Sequence, residues 1–204
     1  MSEPFKTKTD ANDGKKPRRG PRPLSGHTQG YRMRIYPNKE QARWINRMFG
    51  QSRFVFNRGL GLWNEHYEST GKGLSYGFLS KQLPELKRDE ATKWLAEGDS
   101  TALQSSLLDL ADAFDRFFEG QNDKPRFKSK KNPVQSYTSK YVGDNISVGE
   151  GWIKLPKVGR MEASVSRPLK GRIISATVRR HGSGRFYASV LCERSDISKD
   201  TPVL

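Results

Sequence analysis

The hydrophobic period of this chain changes once, near residue 122, and one strand lies on the wrong side of the change. Between Asn38 and Gly120 the apolar residues recur at intervals of three and four. Beyond the basic stretch 124–131 they recur at every second position. Yet Tyr31, Met33 and Ile35 alternate with Arg32 and Arg34 ahead of every helix-like segment. A lone strand leaves its backbone donors and acceptors unpaired, and only the C-terminal half offers a sheet to join. The pattern therefore predicts an α+β fold. A small antiparallel β-barrel, residues 31–37 and 122–194, is interrupted after its first strand by a helical insertion, residues 38–121.

Local signals place the elements. Pro37 ends the first strand, and Asn38 with Gln41 three residues on reads as a capping box. Trp44, Ile45, Met48 and Phe49 form one helical stripe; Gly50 is expected to break that helix. A second helix, 52–69, carries Phe56, Leu60, Trp63 and Tyr67. The pair reads as a helical hairpin packing its aromatics into a core, with a helix-turn-helix as the alternative. A third helix is expected over 76–87 and a fourth from Asp99 to Gly120. In the fourth, Leu103, Leu107, Leu110, Phe114, Phe117 and Phe118 line one face. Strands follow at 146–148, 153–155, 161–165, 174–178 and 186–192, separated by Gly-containing turns.

Charge points to the partner class. The chain has 37 Lys and Arg against 22 Asp and Glu, a net charge of +15. Clustered positive charge interleaved with aromatics predicts polynucleotide binding. Residues 1–30, centred on Lys15–Pro23, hold too little apolar surface to order alone and read as a solvated tail or a phosphate-binding arm. Candidate backbone-gripping residues are Lys124, Arg126, Lys128, Lys130 and Lys131 in the linker, and Lys157, Arg179, Arg180 and Arg185 among the strands. Tyr137, Tyr141, Trp152 and Tyr187 are candidate stacking platforms, with core or rim packing an equal alternative for each.

Other classes find less support. No apolar run reaches the ~18 residues of a membrane span, and residues 1–30 lack the apolar segment of a signal peptide. Cys192 stands alone, and His27, His66 and His181 make no metal spacing, which fits a reducing cytoplasm and a nucleoid-associated protein. Asp109, Asp112 and Asp115 lie off the apolar stripe, with Asp112 and Arg116 four apart, the pattern of a solvated helix face. No phosphate-binding loop, zinc-protease or nucleophile-elbow motif occurs.

Seven segments, in order, then carry a resemblance. They are Arg34-Ile35-Tyr36-Pro37-Asn38, Arg53-Phe54-Val55-Phe56-Asn57, Gly71-Lys72-Gly73-Leu74-Ser75-Tyr76-Gly77, Ala102-Leu103-Gln104-Ser105-Ser106-Leu107, Pro125-Arg126-Phe127-Lys128, the run from Gly149 to Lys157, and Tyr187-Ala188-Ser189-Val190-Leu191-Cys192-Glu193. Over residues 31–193 the chain resembles TnpB, the RNA-guided DNA endonuclease of insertion sequences, related to the compact type V CRISPR effectors. The resemblance implies an oligonucleotide-binding-like wedge barrel interrupted by a helical recognition domain. It implies two partners, a guide RNA and a double-stranded DNA target with a short adjacent motif, while base pairing reads the rest. The family's motif-reading positions fall on Tyr76, Ser80 and Gln104, with matching residue types, and on Ser100, Val142 and Gly143, where Lys and polar types are replaced. That departure leaves the preferred motif open. The family continues into a RuvC-like nuclease with a zinc ribbon, which uses divalent metal and zinc. The resemblance therefore implies no catalytic residue, metal or cofactor within this chain. Residues 195–204 read as a linker toward that nuclease, which a separate nuclease half would supply.

Overall fold

The computed structural model describes residues 27–194. Most of the expected tail, and the expected linker at 195–204, lie outside the described residues. Strand β1, Thr28–Tyr36, starts earlier than the alternation suggested, because Thr28 to Gly30 pair with Leu191 to Glu193. Its inward residues Tyr31, Met33 and Ile35 are buried while Arg32 and Arg34 face out.

Helix α1, Lys39–Thr70, corrects the reading of residues 38–69. It runs unbroken through Gly50, so neither a hairpin nor a turn interrupts it. The glycine costs up to about 1 kcal/mol in helix propensity. Packing on both sides outweighs that cost. Ile45, Met48 and Phe49 dock on the sheet, and Val55, Phe56, Leu60 and Trp63 dock on the later helices. The predicted capping box is present: Asn38 Oδ1 accepts from Gln41 N at 2.9 Å, and Gln41 Oε1 accepts from Asn38 N at 3.0 Å. Gly71, in left-handed backbone at φ 68°, ends the helix.

The expected third helix is two short ones, α2 (Tyr76–Lys81) and α3 (Leu83–Leu86), with Pro84 in the first turn of α3. A 3-10 segment, Lys93–Glu97, leads into α4, Ser100–Phe118, whose N-cap is Asp99. Helices α1 and α4 approach closely at Gly59, where an added Cβ would stand 3.0 Å from the methyls of Leu107 and Leu110.

The remaining strands are β2 (Gln135–Lys140), β3 (Ser147–Gly149), β4 (Trp152–Leu155), β5 (Gly159–Ser164), β6 (Arg172–Arg180) and β7 (Phe186–Glu193). All ladders are antiparallel, in the order β2-β6-β7-β1-β5-β4-β3. The N-terminal strand is thus the centre of the sheet, as its orphaned alternation required. The sheet does not close into the expected barrel. Strands β2 and β3 are its edges, and no ladder joins them among the described residues. β3 has three residues, and the chain reaches it through left-handed turns at Gly143 and Asp144. Strand β2 had no apolar alternation to announce it: its inward residues are Gln135, Tyr137 and Ser139.

Two apolar clusters result. One lies between the sheet and the first turns of α1, with Ala102 of α4 included. The other fills the space among α1, α2, α3 and α4. The same two helices serve both clusters, so the helical insertion is bolted to the sheet along α1 and the start of α4.

Candidate nucleic-acid interface

The expected motif-reading residues come from distant parts of the sequence, and α4 organises most of them. Asp99 is 6% exposed and caps the helix through Thr101 N at 2.9 Å. Its other oxygen accepts from Ser139 Oγ of β2 at 2.5 Å. Thr101 Oγ1 in turn accepts from Lys140 N at 3.1 Å. These bonds bind the start of α4 to the end of β2. The chain leaving β2 then presents Val142 and Gly143, both exposed, beside Ser100. Asn145 shapes that loop, accepting from Val142 N at 2.8 Å and donating to Lys140 O at 3.0 Å.

Gln104 is exposed one helical turn beyond Ser100, and its side chain carries no protein hydrogen bond among the described residues. A helix repeats its faces at three and four, so Gln104, Leu108, Ala111 and Asp115 share one ridge. Tyr76 is half-buried at the start of α2 and lines a cavity of about 460 Å³ with Ala111 and Asp115. It therefore sits on the same ridge as Gln104, seven residues or about 10 Å along the axis. Ser80 is half-buried and donates to Gly77 O at 3.1 Å. Ser100, Gln104, Val142 and Gly143 thus gather at one end of α4, while Tyr76 and Ser80 lie farther along it.

The basic residues assemble at the opposite end of β2. The linker is held by groups that periodicity did not flag. Asn57 of α1 accepts from Lys128 N at 2.8 Å and donates to Lys128 O at 2.9 Å. Gln135, 8% exposed, donates to Ser129 O and Asn132 O and accepts from Arg53 Nη1 at 2.9 Å. Lys124, Arg126, Lys130 and Lys131 stay exposed on this pinned loop. Arg126 makes an exposed ion pair with Asp123 at 3.2 Å. Lys128 Nζ lies 3.9 Å from the centre of the Phe56 ring. Burial lowers its pKa, and Asp109 partly offsets that shift. Asp109 is raised by burial, with Lys128 opposing. The expected Asp112–Arg116 pair is not among the ion pairs of the described residues.

Pro133 abuts the β6–β7 turn at Gly182, which sets the linker beside Arg179 and Arg185. Both are exposed. Arg180 alternates to the other face and is half-buried, donating to Asn46 Oδ1 at 2.7 Å. Lys157 lies apart, exposed in a left-handed turn near Lys87. Strand β2 spans six residues, so the basic region and the start of α4 are separated by about 17 Å.

The expected stacking platforms divide. Tyr137 is a core residue, 4% exposed, tilted against Phe49, which corrects its reading as a platform. Its hydroxyl has no hydrogen-bond partner, and burial drives its pKa far above the ordinary phenol value. Tyr141 is bonded to Asp144, which raises its pKa. Arg160 covers Trp152 at 4.1 Å. Tyr187 is flanked by Arg32 at 4.6 Å and by His181 edge-on, on the sheet's outer face.

Residues 27–72, which hold β1 and α1, match a family described as a helix-turn-helix domain of the OrfB type found in IS605 elements. In this chain those residues form a strand and one continuous helix. InsQ of Escherichia coli K12, which bears the name of an RNA-guided DNA endonuclease, is 35% identical over 86% of this chain and 42% of its own length. A Streptomyces pristinaespiralis protein named in the same way is 32% identical over 81% of this chain and 41% of its own length. The virulence protein VsdF of Salmonella dublin is 31% identical over 47% of this chain and 82% of its own length. The chain therefore spans about two fifths of the two endonuclease-named relatives. With those matches running across the strand, the long helix and the sheet that frame the interface, the chain belongs to the TnpB family of insertion-sequence proteins.

Proposed function

We propose that this chain holds the scaffold of a guide RNA and reads a short motif in duplex DNA beside the guided target. The open sheet is the wedge and the helices are the recognition insertion. The observation that carries the reading is the joining of the start of α4 to the end of β2 through Asp99, Thr101 and Ser139, with the exposed amide of Gln104 one turn along the helix and the exposed residues 142–143 just beyond the strand. An unpartnered amide at a helix start suits bidentate reading of adenine in the major groove. The pinned basic linker, with Arg179 and Arg185, suits the phosphates of the RNA. In this reading the residues named above bind and position nucleic acid and take no part in cutting it.

The second reading is duplex binding without RNA, favoured by the match to a helix-turn-helix family. Its recognition helix needs a partner helix at a steep angle, whereas α1 is continuous through Gly50. Purification after a high-salt wash separates the two. A discrete structured RNA that remains bound supports the first reading; duplex binding unchanged by ribonuclease supports the second. Gln104→Ala is expected to weaken motif-dependent DNA binding about tenfold, within the range for one bidentate base contact, while RNA retention is unchanged. Equal loss of both would remove Gln104 from the motif site.

A further inference from the structure

Between α1, the linker and β2 lies a cavity of ≈ 400 Å³. Its floor is formed by Phe49 and Ser52 of α1 and Gln135 of β2, all buried. Its rim carries Val134 and, in the linker, Phe127, whose ring is 60% exposed. A hydroxyl on the floor is idle. Ser52 is 5% exposed, yet its Oγ has no hydrogen-bond partner among the described residues. A helical serine can return its hydroxyl to the carbonyl four residues back, as Ser106 does to Ala102 O at 3.1 Å. Ser52 does not, and an unpaired buried hydroxyl is a standing cost to the fold. The rim is held in place. Both backbone groups of Lys128 are tied to Asn57, Gln135 holds the carbonyls of Ser129 and Asn132, and Val134 N donates to Asn132 Oδ1 at 2.9 Å. The loop that carries Phe127 is thus preorganised, with an apolar ring left in solvent.

We propose that this cavity is a binding site for one unpaired RNA nucleotide, its base stacked on Phe127 and its polar edge turned inward to Ser52 Oγ. The inference rests on the guide-RNA reading proposed above. Size, chemistry and charge select the ligand. A volume of ≈ 400 Å³ lies at the small end of ligand pockets, ~300–1,000 Å³, and suits a base with its sugar. A base brings what the walls lack: a flat π face for the exposed ring, and hydrogen-bonding groups on its edge for the idle hydroxyl. An apolar peptide side chain would cover Phe127 and leave Ser52 unpaired. Lys124, Lys130 and Lys131 stand exposed on the same loop, within the stretch of chain that would follow the nucleotide's phosphates. The nucleotide is an unpaired one, because a base inside a duplex is stacked on both faces and its pairing edge is occupied. A hydroxyl both donates and accepts, so the site takes any base. It anchors a bulge or a single-stranded segment of the RNA without reading its sequence.

The test is titration of the whole chain, treated with ribonuclease and repurified, with a single-stranded uridylate decamer and with an adenylate–uridylate duplex of the same length. Phe127→Ala is expected to weaken binding of the single strand about tenfold at fixed salt, within the range for one stacked base, and to leave the duplex affinity unchanged. The slope of log affinity against log salt is expected to stay that of wild type, because no cation is removed. Phe127→Trp is expected to keep the affinity, and Phe127→Leu, apolar but without a ring, to lose it. Ser52→Ala is expected to weaken the single strand about threefold, the size of one neutral hydrogen bond, without lowering the melting temperature. Unchanged binding by Phe127→Ala, or wild-type binding by Phe127→Leu, overturns the nucleotide site and leaves the guide-RNA reading intact where RNA still co-purifies. A lower melting temperature in Ser52→Ala with unchanged affinity overturns the inward-turned edge. A dependence on Phe127 found with a thymidylate decamer and not with uridylate overturns the assignment to RNA. A wild type that retains no RNA and binds no uridylate overturns both readings.

Discussion

Single residues show which buried polar groups are held and which are merely tolerated. Asp99 is satisfied on both oxygens by α4 and β2. Tyr137, in the same core, hides a hydroxyl with no partner. Removing an unsatisfied buried hydroxyl restores no lost bond and spares a desolvation cost of about 1–3 kcal/mol. Tyr137→Phe is therefore expected to leave the melting temperature unchanged or raise it in a thermal scan, without changing RNA retention. Reduced RNA retention would return Tyr137 to the binding surface. Asp99→Ala strips the cap and the Ser139 acceptor together, and a loss of about 3 kcal/mol in urea unfolding is expected, near the sum of one cap and one charged hydrogen bond.

At the scale of elements, α1 carries the sharpest contrast between sequence and structure. Its capping box, its aromatic stripe and the neighbouring α4 were legible, because cap chemistry and a 3.6-residue period are local properties. The continuity through Gly50 was not, because it depends on docking to a sheet whose strands come 100 residues later. Strand β2 was illegible for a related reason: its inward Gln135 and Ser139 are polar and are satisfied by Arg53 and Asp99, so no alternation marks it. The anchor Asn57 likewise gave no periodic signal, although it lies in a segment that carries the family resemblance. The motif positions at the N-terminal end of α4 came from resemblance, and geometry then separated them from Tyr76 and Ser80.

Two glycines of α1 make the element testable. At Gly50 an added Cβ meets only Arg53 Nη2, at 3.9 Å. Gly50→Ala is expected to stabilise by about 0.5–1 kcal/mol, the ordinary gain within a helix. At Gly59 the same methyl presses on Leu107 and Leu110 at 3.0 Å. Gly59→Ala is expected to destabilise by about 1–3 kcal/mol, the usual cost of overpacking. Urea unfolding of the two variants reads both signs, and a destabilising Gly50→Ala would contradict an unbroken α1.

For the whole molecule, charge and topology act together. In a chain of net charge +15, the pinned linker and the β6–β7 turn present clustered exposed basic side chains among the described residues. Lys128, Lys130 and Lys131 lie on one short loop. Replacing all three by Gln is expected to flatten the slope of log affinity against log salt by up to about 2 for single-stranded RNA, at ~0.7 per phosphate. Binding titrations from low to moderate salt measure it, and an unchanged slope would remove the linker from the phosphate contacts.

The central position of β1 bears on how the chain is made. Its ladder partners are β5 and β7, so β1 is paired only after residues 159–193 have followed it. The helices between them, rich in near-neighbour contacts, complete their own packing sooner. The packing among the helices is therefore expected to precede the closing of β5 and β7 around β1.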